Sequence, residues 1–182
     1  MDPALAVWSF TLALTCLAAI WDWRSRKIPN WLTVSGAVAG ITLHTVIGRW
    51  HGAGFALAGM GLALGLLLPL VYLRALGAGD WKLMGAVGAF MGWQLFLYVL
   101  FGSILVAGIM AMIQMIRADR VSETLRNLWT LIKGFVSFGL VKNTNISLDN
   151  PGLLKLPFGV AVAAATIACF CAAYWEAWKH IL

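Results

Sequence analysis

Residues 54–73 read GFALAGMGLALGLLLPLVYL, twenty positions without a charge. At about 1.5 Å per residue, a helix of that length covers the roughly 30 Å hydrocarbon core of a bilayer, and it satisfies its own backbone groups within one pass. Further apolar runs occupy 4–21, 31–48, 83–92, 95–116 and 157–176. The run 83–92 is short, about half the required depth, whereas a single helix over 83–116 would be about 50 Å long, so a break is expected near Gly92-Trp93-Gln94. These runs predict an all-α integral membrane protein: one domain over 1–182, a bundle of about six transmembrane helices, and a loop at 117–156 between spans five and six.

Composition agrees. Sixty-two per cent of the 182 residues are apolar and 11% are charged, against about 45–50% and 25% in soluble domains. A disordered tail, a disulfide scaffold and a free cytosolic enzyme are excluded. Cys16, Cys169 and Cys171 lie in apolar stretches with no CxxC pair or nearby histidine cluster, which argues against structural zinc and against a disulfide. No metal or other cofactor is expected. The net charge of +6 is not gathered into one stripe, so nucleic acid is not an expected partner; the bilayer is.

Six spans put both termini on one side and the connections 22–30, 74–82 and 117–156 on the other. Those connections carry eleven of the thirteen Lys and Arg residues, leaving Arg49 and Lys179 opposite. The positive-inside rule then places the connections in the cytosol and both termini outside. Met1-Asp2-Pro3 offers no basic region of the kind that starts a cleaved signal, so span one is expected to stay. Trp21, Trp23, Trp31, Trp50, Trp81, Trp93, Trp175 and Trp178 fall at span ends, as in an aromatic belt. The pairs Gly36/Gly40, Gly61/Gly65 and Gly88/Gly92 have the spacing that lets helices approach backbone to backbone. Residues 121–136 carry an apolar stripe suited to a helix lying on the cytosolic interface, and 143–152 reads as a flexible link.

Of seven acidic residues, two stand apart. Asp22 and Asp80 each lie at the cytosolic edge of a hydrophobic span, where an ionisable group needs a partner or a role. Asp22 could close span one by pairing with Arg24, Arg26 or Lys27, and Asp80 could be the N-cap of span four. Yet Asp80 follows Gly77-Ala78-Gly79, a segment so bare of side chains that it could admit an extended peptide. Two carboxylates at one depth could share a proton, one taking a proton from water while its protonated partner polarises a carbonyl. That chemistry is peptide hydrolysis without a covalent intermediate. His44, His51 and His180 are isolated from any matched nucleophile.

Three motifs carry a family resemblance. Asp22-Trp23-Arg24-Ser25-Arg26-Lys27-Ile28-Pro29-Asn30 resembles the first active-site motif of the type IV prepilin peptidases. Gly77-Ala78-Gly79-Asp80-Trp81-Lys82 is similar to their GxGD motif, and Leu156-Pro157-Phe158-Gly159 to the entry of their last helix. The resemblance covers roughly residues 20–160. It implies that Asp22 and Asp80 form a catalytic aspartyl pair, with Gly77, Gly79, Lys82, Pro29, Asn30, Pro157, Phe158 and Gly159 in support. It implies a pilin-like precursor as substrate, cut at the cytosolic face of a bacterial inner membrane, and pilus-assembly proteins as further partners. The paired CxxC motifs of the larger bifunctional members are absent from this sequence, so a peptidase without methyltransferase activity is expected, similar to those of tight-adherence (Flp) systems. The competing readings from the residues alone are a small transporter subunit, with the two acids as a proton or ion relay, and a non-enzymatic scaffold in which the acids pair with arginines.

Overall fold

A computed structural model describes residues 3–117, 129 and 156–179. Among them are four helices long and apolar enough to cross a membrane: α1 (Pro3–Ser25), α2 (Asn30–Tyr72), α3 (Ala78–Arg117) and α4 (Phe158–Lys179). There is no strand among the described residues. The interfacial helix expected over 121–136 and the link at 143–152 lie outside the described residues, apart from Trp129.

The expected count of six separate spans is corrected to four helices. The reason is that the anticipated connections at 49–53 and 93–94 shrink to one non-helical residue each. Inside α2, Arg49 adopts φ 50° and ψ −132°; inside α3, Gly92 adopts φ 67° and ψ −179°. Both helices are therefore pairs of arms. In a straight helix His44 and Phe55 would stand about 16 Å apart, but their ring centroids are 5.2 Å apart. A Cβ at Gly52 would overlap the His44 carbonyl, so the α2 reversal requires glycine there. In α3 a straight path would separate Asp80 from Ala107 by about 40 Å, yet both line one cleft.

The first arm of α3 is the axis of the molecule. Every residue from Leu83 to Gly92 is buried, as expected of a helix that is apolar on all sides. Its small residues set the packing: a Cβ at Gly85 would lie 2.8 Å from Leu64 Cδ2, and one at Gly36 would lie 3.5 Å from the Ala86 Cβ. Gly59 and Gly88 meet backbone to backbone. The Gly36/Gly40 and Gly88/Gly92 pairs thus do bring helices together, while Gly61 and Gly65 face open space and Gly59 makes the contact expected of them.

Two side chains stitch the interior. His44 Nε2 lies 2.7 Å from the Phe90 carbonyl oxygen, two residues before the break at Gly92. A carbonyl only accepts, so Nε2 carries the proton. Trp81 Nε1 donates to the Leu64 carbonyl at 2.9 Å, which makes it an interior strut and not the belt residue its position suggested. Trp23, Trp31, Trp50, Trp93 and Trp175 are exposed at the edges as expected. α4 runs antiparallel to α1, with Trp8 against Phe170 at one end, centroids 5.6 Å apart, and Asp22 against Gly159 at the other.

Candidate active site

The end of the bundle opposite Trp8 and Phe170 is built from helix termini. α1 stops after Asp22 has entered its last turn: Arg26 takes φ 53° and its N–H returns to the Asp22 carbonyl at 2.9 Å. α2 then starts with Pro29 as N-cap, where the fixed ring dihedral suits a helix entry. At its far end, Arg74 takes φ 55°. The Arg74 N–H bonds the Val71 carbonyl at 2.9 Å and the Ala75 N–H bonds the Leu70 carbonyl at 2.8 Å. This is a Schellman closure with arginine in the position usually given to glycine. It turns residues 75–79 back across the bundle end and into α3.

Asp80 is the third residue of α3, so the expected N-cap assignment is corrected. Gly77 occupies the cap position, and the Asp80 carboxylate reaches back to the Gly77 N–H, as the N3 acid of a capping box does. A Cβ at Gly77 would lie 2.9 Å from Asp80 Oδ2, and one at Gly79 would lie 3.4 Å from the Ile28 Cβ. The first glycine makes room for the carboxylate itself; the second keeps the start of α3 close to the α1–α2 turn.

Asp22 is 5% exposed. Of the cations weighed as its partner, Arg24, Arg26 and Lys27, the second acts on it, alongside a backbone donor. Oδ2 accepts the Gly159 N–H at 2.8 Å, and Arg26 is the cation whose charge reaches it. Pro157 is fully buried ahead of that turn, its carbonyl accepting the Val160 N–H at 3.1 Å. Lys82 Nζ donates to Asn30 Oδ1 at 3.0 Å, tying the second turn of α3 to the start of α2.

These pieces enclose a cleft of about 560 Å³ lined by Asp22, Arg26, Lys27, Ile28, Asn30, residues 75–80, Ala107, Leu156 and Phe158. Of the residues singled out from sequence, Asp22, Asp80, Gly77, Gly79, Asn30 and Phe158 line it. Pro29, Lys82, Pro157 and Gly159 stand behind it. Sequence reasoning missed Ile28, which sits within the first motif, and Ala107, which nothing in the sequence marks and which arrives only because α3 doubles back. Among the described residues no three His, Cys, Asp or Glu side chains converge on a common point. What the cleft does hold is two carboxylates lining one space, with Gly77, Ala78 and Gly79 leaving room beside Asp80; such a pair can share a proton and act as acid and base on a water molecule.

No curated protein and no solved structure matches the chain. The profile of the type IV leader peptidase family matches residues 9–112, a stretch holding Asp22, the Gly77–Asp80 turn and Ala107 but ending before α4. With more than half of its length matched, and with both acids of the cleft inside the match, the chain belongs to the type IV leader peptidase family.

Proposed function

We propose that the protein is a membrane-embedded aspartic endopeptidase that removes the leader of pilin-like precursors, with Asp22 and Asp80 as its catalytic pair. The observation that carries this reading is that the two acids, remote in sequence and borne on different helices, line one cleft. One carboxylate takes a proton from a water molecule as its oxygen attacks the scissile carbonyl carbon; the protonated partner donates to the carbonyl oxygen. The tetrahedral intermediate then collapses as the amine leaves with a proton from the pair. Gly77, Ala78 and Gly79 leave room beside Asp80 for the chain of an extended substrate.

Charge supports an orientation with this cleft in the cytosol of a bacterial inner membrane and both chain ends outside. Arg24, Arg26, Lys27, Arg74, Lys82 and Arg117 belong to the cleft end, and Arg49 to the opposite reversal, which is the positive-inside bias. Family membership speaks against the ion-relay alternative.

The test is co-expression with a candidate prepilin, reading its N-terminal residue by mass spectrometry. Asp22→Asn and Asp80→Asn, at unchanged protein level, are each expected to abolish processing. Processing that survives either change refutes the aspartyl pair, and a mature N-terminus at any site other than the leader junction refutes the substrate class.

A further inference from the structure

Asp22 is held from the far end of the chain. Its carboxylate lies in the last turn of α1, and the donor that fixes it, the Gly159 N–H, is the second residue of α4. The N–H groups of a helix's first turn have no partner within the helix. Here one of them is spent on a side chain of another element, in a buried contact of 2.8 Å.

The fit leaves no slack. A Cβ at position 159 would stand 3.1 Å from both the Cβ and Oδ2 of Asp22 and 3.4 Å from the Ala18 carbonyl oxygen. Pro157, fully buried, fixes the entry to this turn, and Phe158 beside it lines the cleft. The charged groups around Asp22 are Asp80 from α3 and Arg26 and Lys27 from the α1–α2 turn. Among the described residues α4 presents no charge to it, only this N–H.

From this geometry we propose that Gly159 is a positioning residue for the reaction: the first turn of α4 holds the Asp22 carboxylate in the orientation that lets it act with Asp80, and a side chain at 159 spoils that orientation. The inference rests on the peptidase reading above. Asp22 has only two side-chain torsions, and pinning one oxygen restricts where the other can point. Reaction geometry is unforgiving at this scale, since displacements of about 1 Å can cost about a hundredfold in rate.

Two measurements on the full-length protein in detergent decide it. In a glycine-¹⁵N sample, the Gly159 amide proton, assigned by its loss in Gly159→Ala, should resonate downfield in the wild type and move upfield in Asp22→Ala. An amide unaffected by removal of the carboxylate overturns the contact whether or not the protein cleaves anything. In prepilin cleavage, Gly159→Ala should lose about tenfold to a hundredfold in kcat with KM within about twofold. Ala164→Gly, on an exposed face of the same helix, should lose little and serves as the control for a loosened α4. A Gly159→Ala enzyme with kcat unchanged, or one whose loss matches that of Ala164→Gly, overturns the positioning role alone. If Asp22→Asn still cleaves, the peptidase reading itself falls.

Discussion

Gly59 and Gly61 are neighbours on one arm of α2, and alanine at each should have very different effects. A Cβ at Gly59 would overlap the Gly88 carbonyl oxygen and sit 2.7 Å from Gly92 Cα and 2.8 Å from the Gly92 carbonyl carbon. Each of these is a backbone atom, so no side-chain rotation relieves the contact, and restoring ordinary spacing needs the arms to part by about 1 Å. A Cβ at Gly61 meets no described atom within 4 Å. Both substitutions gain the same helix propensity, about 1 kcal/mol, so that contribution cancels when the two variants are compared. What remains is the overpacking cost, about 1–3 kcal/mol, or about a 5- to 150-fold difference in unfolding equilibrium. Reversible unfolding of the two variants in mixed SDS and non-ionic micelles, followed by tryptophan fluorescence, measures it. Equal midpoints and slopes for Gly59→Ala and Gly61→Ala would refute the close packing of α2 on the buried arm of α3.

His44→Leu removes the donor that serves the Phe90 carbonyl at the α3 break and should destabilise by about 1–3 kcal/mol in the same assay; stability equal to the wild type would deny the carbonyl's dependence on it. Removing the Asn30–Lys82 bond should cost less than about 1 kcal/mol, because it lies at the exposed edge. A double-mutant cycle with Asn30→Ala and Lys82→Ala is expected to show a small positive coupling, and zero coupling would remove the strap. Cleavage rate should pass through a maximum with pH, falling where both carboxylates are protonated and again where both are ionised. A profile level from acid to alkaline pH, in enzyme shown to stay folded, would count against a shared proton. Chelators should leave turnover intact, and activity lost to them and restored by a divalent ion would replace the water-activation scheme.

How much of this could be read in advance depends on what kind of signal each feature leaves. In a sequence this poor in charge, two acids at the edges of apolar runs are conspicuous, and Asp22, Asp80 and the glycines before Asp80 were legible because little else competes with them. The break near Gly92 was legible from length, since one helix over 83–116 would overrun the bilayer, and glycine is the residue that tolerates the positive φ found there. The turns at 22–30, 49–53 and 74–82 were legible as gaps between apolar runs, but the residues that make them were not. Arg26, Arg49 and Arg74 all adopt left-handed φ, at 53°, 50° and 55°, a conformation costing a side-chain-bearing residue roughly 1–2 kcal/mol. Turn chemistry alone would have put glycine or asparagine there. All three stand at helix ends or reversals, where a bilayer rewards a cation and its long stem can lie along apolar surface. One demand on the position has overridden the other. Counting charges therefore finds the ends of the segments, while looking for turn residues misses how abruptly the chain doubles back, and a six-span expectation becomes four helices with two hinges. The Gly159 bond is hidden for a different reason. The motif drew attention to the residue, but the group that acts is a backbone N–H, identical at almost every position, and only the docking of α4 against α1 singles out this one.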